Sequence, residues 1–383
     1  MEKLIETRSN KRTRGQKYKR GTRQEIDNNT VYHLNPLLLV SLQKRKTESE
    51  WSCLATARQQ PLTVKNWRML ALLGMLKERF SVTQLWRRCS SFIPDKATLV
   101  KILELLEHHD IIRREPFPES AQGKQWKSYG WDAAFLYHFA TRDSPFVDAS
   151  KWDRYKKEDN ERMRQYAQKT PPPPPYTQIA HTILSHPISY DLSDRVSSDE
   201  TAKNLRERGS KREQILFSLN FCFGQKGRRL FPPQGYTLKK TIPSGGARHP
   251  TEAFVVSFQD SFLPEGVYHY NVQRNSLDLY RSGNFLEYVC RATYDLCSKF
   301  PQPPFGMLIL VSEVERAMWR YRDDRSFRAI LIDAGVAMMM FRILSQYFSV
   351  RSYSYQKFCD SSITELLQVD PIRQIPLYTV ALV

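Results

Sequence analysis

The sequence predicts an α+β protein in which a small helical domain precedes a larger, sheet-bearing one. Three observations lead there. After residue 176, candidate strands and one long helix mix without a regular βαβ repeat. Five consecutive prolines, Pro171 to Pro175, punctuate the chain ahead of them, and three amphipathic helices cluster between residues 66 and 108. At 383 residues there is room for two or three cores.

Residues 1–30 form the first element. Lys3, Arg8, Lys11, Arg12, Arg14, Lys17, Lys19, Arg20 and Arg23 face only Glu2 and Glu6 within that basic stretch. A like-charge block of this kind reads as a disordered, solubilising arm. Residues 31–135 follow as a winged-helix-like domain. Val31 to Leu42 is a short apolar patch, strand or buried turn, limited by Pro36. Helices are expected at Asn66 to Arg79, at Val82 to Cys89 with Ser81 and Thr83 as entry signals, and at Asp95 to His108 with Asp95 as cap. Ile111-Ile112 and Gln125 to Trp131 are expected to pair as a small hairpin. A DNA-reading version would offer a basic recognition helix. Here Lys96 and Lys101 are set against Asp95, Glu104 and Glu107. The expectation is therefore a docking platform for a peptide or for the other domain, with no nucleic-acid partner.

Residues 136–175 join the two domains. The apolar stretch Ala133 to Thr141 runs into this segment, and Asp153 to Gln168 is a highly charged helix candidate. The proline run favours an extended spacer, because each proline fixes its own φ and restricts its predecessor; a ligand for a proline-recognising domain is the alternative. Residues 176–383 carry strands at Glu252 to Phe258, Gly266 to Tyr270, Met307 to Val311 and Leu377 to Val383, with a long helix at Arg325 to Tyr347.

Fifty-eight Lys and Arg against forty Asp and Glu give +18, a field that attracts nucleic acid, anionic membrane, acidic peptide or a phosphate-bearing cofactor without choosing among them. The six cysteines (53, 89, 222, 290, 297, 359) form no C-x-x-C pair, so no metal site is expected. No apolar run approaches the ~18 residues that span a bilayer, and no apolar h-region follows the basic start. A cytoplasmic location away from the membrane is the expectation, with reduced thiols.

The most informative stretch is Ile242 to Phe254, IPSGGARHPTEAF. Pro243, Gly245 and Gly246 let the backbone turn and approach a flat or phosphorylated ligand, Ser244 offers a hydroxyl and Arg248 a fixed cation. Pro243 to Pro250 followed by Glu252 resembles the PSGGA-x-x-P-x-E signature of SagB-type (McbC-like) peptide dehydrogenases. Pro264 to Tyr270 (PEGVYHY) is similar to that family's P-x-G-V-Y-H-Y strand, Pro376-Leu377-Tyr378 to its terminal strand, and Tyr137 to Phe146 with the proline run to the segment before its flavin domain. The resemblance covers most of residues 130–383.

It implies a nitroreductase-like FMN domain over residues 176–383, with the cofactor in a cleft between two protomers and hence a homodimer. Ser244, Gly245 and Gly246 should lie against the flavin ring. Arg206, Arg208, Ser210, Lys211 and Arg212 are a counterpart of the family's phosphate-binding motif, with Arg228 and Arg229 as a second candidate, since a phosphate wants clustered cations. Trp319-Arg320-Tyr321-Arg322, then Arg328 and Asp333-Ala334-Gly335, resembles the family's W-K-Y segment followed by R and E-A-G, which places Tyr321, Arg320 and Arg328 in the site.

The family lysine is Arg320 here, and a guanidinium stays charged in proteins, so Arg320 is not a proton acceptor. Tyr321 takes that role if the neighbouring cation stabilises its phenolate; otherwise the site no longer performs the oxidation. His249 and His269 read either as acid–base groups or as structural hydrogen-bonding residues, and Met338 to Met340 as core or dimer packing. The implied activity is FMN-dependent oxidation of thiazoline or oxazoline rings to azoles in a ribosomally made precursor peptide, beside a partner cyclodehydratase. The alternative is a catalytically weakened homologue serving as a scaffold in a peptide-modifying complex.

Overall fold

A computed structural model describes residues 5–6, 26–35, 39–44, 49–54, 62–64, 67–109, 111–114, 125–126, 128–141, 149–190, 192, 194–232 and 235–383. Most of the basic arm lies outside the described residues, as do residues 142–146 of the Tyr137 to Phe146 resemblance. The chain divides into two units, Met1–Phe146 and Val147–Val383. The division falls ahead of the charged helix, so that helix and the proline run belong to the second unit.

In the first unit, β1 (Ile5–Glu6), β5 (Leu62–Val64), β4 (Ser49–Leu54) and β3 (Leu39–Lys44) form one sheet in that order; β6 (Phe80–Ser81), β2 (Val31–Leu34) and β7 (Ile112–Arg114) form another. Helices α1 (Trp67–Met75), α2 (Val82–Cys89) and α3 (Lys96–His108) bury Leu72, Leu76, Leu85, Leu99 and Leu103 with Tyr32 in one core. Ser81 and Gln84 close a capping box on α2, and the Asp95 carboxylate caps α3 through the Thr98 N–H at 2.7 Å. The expected hairpin is corrected: β7 pairs with β2, not with Gln125 to Trp131. Gln125 and Trp126 are helical, and the Trp126 ring packs on Trp131, Phe135 and His138 of the segment leading into and forming α4 (Asp132–Thr141).

The second unit is α+β. Its seven-stranded sheet has the order β15 (Ser352–Tyr355), β16 (Gln374–Leu382), β14 (Gly306–Glu313), β11 (Thr251–Ser257), β12 (Gly266–Asn271), β13 (Ser276–Ser282), β8 (Leu184–Pro187), and every pairing is antiparallel. Side chains alternate across a strand. Ala253 and Val255 of β11 join Leu308 and Leu310 of β14 against α7 (Lys211–Phe223) and α10 (Ser326–Tyr347). Phe254 and Val256 join Met307 and Ile309 against α8 (Leu286–Ala292) and α11 (Asp360–Leu367). With both faces covered, the central strands read as unbroken apolar runs. A separate hairpin, β9 (Gln225–Phe231) with β10 (Gly235–Lys240), feeds directly into the loop 241–250.

Two features of this layout position the site. Thr251, the first residue of β11, pairs with Ser312 near the end of β14. The loop before β11 and the short helix α9 (Glu315–Arg320) after β14 therefore emerge at the same end of the sheet. The helices α5 (Trp152–Lys169) and α6 (Arg195–Arg208) complete the unit.

Candidate functional site

The glycine loop is held from outside itself. Residues Gly245–Ala247 make a single 3₁₀ turn in which Gly246 has φ 60°. That left-handed conformation favours glycine, and a Cβ on Gly246 would collide with the Tyr321 hydroxyl. Asp333, on the loop-facing side of α10, accepts from Ser244 Oγ at 2.6 Å and from the Gly245 N–H at 3.2 Å. Ser244 Oγ in turn accepts from the His249 N–H at 2.8 Å. Burial raises the Asp333 carboxyl above its ordinary value, partly offset by those two donors. The sequence motif thus marks a loop whose shape is fixed by a carboxylate nearly ninety positions downstream.

Behind the loop lies a buried polar network. Arg316 Nη2 pairs with Glu252 Oε1, His269 Nε2 donates to Glu252 Oε2 at 2.8 Å, and the Thr177 N–H donates to Glu252 Oε1 at 2.8 Å. Burial alone would raise Glu252, but Arg316 beside it, with His269, holds the carboxyl well below the usual range. Arg316 also donates to His249 O at 3.0 Å, tying the network to the loop. His249 Nε2 donates to Leu238 O at 3.1 Å; burial, then Lys240, pushes its imidazole down to about 3, so it stays neutral. Both histidines therefore occupy hydrogen-bonding places in the scaffold.

Lys240 was not singled out by the sequence. It ends β10 and, with Ser244, His249 and Asp333, lines a small cavity under the loop. Burial brings its ammonium down to about 8, with Glu252 opposing and Arg316 adding. It is the one lysine that this cavity contains.

The structure brings some predicted site residues together and separates others. Tyr321 lies against Gly246, and Arg328 is on the first turn of α10 next to Ala329, whose methyl faces Gly245. Arg320 is committed elsewhere: its guanidinium pairs with Asp159 of α5 at 2.7 Å and covers the Tyr321 ring at 4.8 Å. Arg208, Ser210 and Arg212 flank the start of α7, beside Lys211. Lys211 covers Phe305, which precedes Gly306, the partner of Ser257 at the end of β11. That is roughly 20 Å along the strand from Thr251 at ~3.4 Å per residue. Ser210 is occupied as the cap of α7 in a box with Glu213, and Arg212 lies 3.2 Å from His186 Nδ1. The second cation candidate is nearer: Arg228 opposes Leu238, whose carbonyl holds His249.

No family model matches the chain. A 123-residue stretch is 32% identical to the trifolitoxin-processing protein TfxB of Rhizobium leguminosarum bv. trifolii, covering 32% of this chain and 33% of that protein. Another match, 22% identical over 267 residues, is to the trifolitoxin operon protein TfxC of the same organism, covering 67% and 72%. Both curated relatives are trifolitoxin proteins. The chain spans about a third of the length of TfxB. Among solved structures, it is similar to a provisionally assigned nitroreductase from Anabaena variabilis, with TM-score 0.46, 20% identity, and 57% and 45% of the two chains covered. It is also similar to the E. coli microcin synthetase McbBCD complex with truncated pro-MccB17 bound, with TM-score 0.37, 20% identity, and 44% and 61% covered.

Proposed function

We propose that this chain is a flavin-dependent oxidoreductase that acts on a ribosomally made peptide, oxidising thiazoline or oxazoline rings to azoles. One observation carries the reading: a side-chain-free glycine turn, fixed by Asp333, faces a tyrosine hydroxyl at the same end of the sheet. The TfxB and TfxC relatives, named for trifolitoxin processing and its operon, support a place in peptide modification.

The residues fit FMN. Gly245 and Gly246 are exposed and offer bare backbone to a flat ring. Ser244 keeps the turn closed, and Arg228 or Arg229, on opposite faces of the hairpin that leads into the loop, supplies a cation for a phosphate. Bound FMN would supply the two-electron acceptor. Tyr321 would take the ring proton of the substrate, while Glu252, Arg316 and His249 keep the loop rigid behind it. Precursor peptide and a cyclodehydratase are the partners this reading requires.

A homodimer suits the exposed apolar side of α10, where Phe327, Leu331, Ile332, Val336, Met339 and Ile343 are each more than a third exposed. A scaffold without turnover is the second reading; it is favoured by Arg320, a guanidinium that accepts no proton, standing where the resembled segment has a lysine.

The visible absorption spectrum of the purified protein, with the released cofactor identified, separates the two. Bound FMN, lost or weakened in an Arg228→Gln/Arg229→Gln variant, is expected. A protein that stays colourless after incubation with FMN rejects the redox reading and leaves the scaffold.

A further inference from the structure

Arg320 replaces a lysine in the W-K-Y resemblance, and its surroundings show what it does instead. α9 is only six residues long and ends at Arg320, so Tyr321 stands just past the helix in extended backbone, φ −114° and ψ 101°. One backbone bond, Tyr321 N–H to Ala317 O at 2.8 Å, ties it back. A tyrosine at a frayed helix end needs outside support to hold one position.

That support comes from residues 159–177. Asp159 pairs with Arg320 at 2.7 Å, and the two side chains are only 12% and 15% exposed. Arg162, also on α5, makes a longer contact to the other Asp159 oxygen at 3.4 Å. Trp319 Nε1 donates to Thr170 O at 2.9 Å, and the Tyr166 ring meets the edge of Trp319 and lies under Arg322 at 4.4 Å. Arg316 Nε donates to Pro174 O at 3.0 Å and Nη2 to Thr177 Oγ1 at 3.1 Å. Trp319, Arg320 and Arg322, with Arg316 one turn of helix earlier, thus grip α5, Thr170 at its end and the proline run, while Tyr321 itself has no hydrogen bond or ring contact to them among the described residues. The prolines limit the conformations that the strap can take before it is gripped, which lowers the entropy lost on docking.

We propose that Asp159 is a positioning residue for Tyr321, acting through Arg320, and that α5 with the proline run forms a clasp holding the Tyr321 hydroxyl against Gly246. This rests on the proton-accepting role given to Tyr321 above. In water-poor surroundings a carboxylate fixes a guanidinium in direction as well as charge. The ring under that guanidinium is then fixed as well.

The test uses the full chain loaded with FMN, with a thiazoline-containing peptide as substrate. Asp159→Asn should lower kcat at least tenfold, with KM for the peptide changed less than twofold. Asp159→Glu, which keeps a carboxylate for the Arg320 guanidinium, should retain most of the rate. In a Tyr321→Phe background, Asp159→Asn should cost nothing further, because the hydroxyl that it positions is gone. Hydrogen–deuterium exchange on the same proteins, read independently of turnover, should show the Tyr321 amide exchanging at least tenfold faster in Asp159→Asn and close to the wild-type rate in Asp159→Glu. Unchanged exchange at Tyr321 overturns the clasp, whether or not the wild type turns over. A rate loss that persists in full in the Tyr321→Phe background overturns the positioning role. A wild type with no turnover but the expected exchange pattern rejects the assigned reaction and keeps the clasp.

Discussion

At the scale of single residues, the site is governed by which charges burial tolerates. Burial draws Lys240 down to about 8, so below that pH the folded protein holds a poorly solvated ammonium that is fully hydrated in the unfolded chain. Between about pH 8 and 10.5 the unfolded state holds more protons than the folded one, and stability rises with pH through that window. Lys240→Met should therefore be more stable than the wild type at pH 7, by up to about 3 kcal/mol. The advantage should shrink toward pH 10, as read by urea unfolding at the two pH values; an equal difference at both would show that the lysine is not titrating there. His249 works in the same direction on the acid side. Its imidazole, held neutral down to about 3, makes the fold lose stability as pH falls from about 6.5. The glycine turn and its serine were legible through their resemblance to a family motif, since a Gly-Gly pair before a strand is by itself only a turn signal. Lys240 and Asp159 were not: a lysine at the end of a polar strand and an aspartate in a charged helix look like solvated surface until the fold places Arg320 against Asp159 across 161 positions.

At the scale of elements, legibility followed burial. β11, β12, β14, β16 and α10 were visible from their apolar runs, within a few residues of the observed ends, because the central sheet is covered on both faces. The β9–β10 hairpin was missed, since QKGRRLF and GYTLKK mix charges with apolar residues on a largely exposed ribbon. The segment containing Ser210 carries an opposite lesson. Its Arg–Ser–Arg character reads as a phosphate site, yet Ser210 and Glu213 form a reciprocal cap on α7. Ser210→Ala should cost about 1 kcal/mol of stability, the usual worth of such a cap. FMN uptake should be unchanged, whereas a variant that loses uptake without losing stability would return the phosphate to this helix end. A fluorescence titration beside a thermal melt distinguishes the two.

At the scale of the whole molecule, the sequence foresaw an α+β second half but placed the boundary at the prolines. The physical reason for the difference is that Arg316 holds Pro174 of the run and Trp319 holds Thr170 just before it, so the run packs as part of the second unit. Among the described residues, no helix is long and apolar enough to cross a membrane. The apolar side of α10 is the surface through which two copies would associate under the proposed function. Ile332, 64% exposed, is its clearest probe. Ile332→Glu should shift sedimentation from a dimer toward a monomer with little change in melting temperature; identical sedimentation of both proteins would remove this face from consideration.

The same helix has Asp333 reaching the glycine turn and, one position earlier, Ile332 in the open. Anything that clamps the outer side of α10 also restricts the carboxylate that shapes the turn. Under the proposed function, specific activity should then fall on dilution more steeply than the loss of cofactor explains, so that the concentration of the chain itself would act as a control on its chemistry.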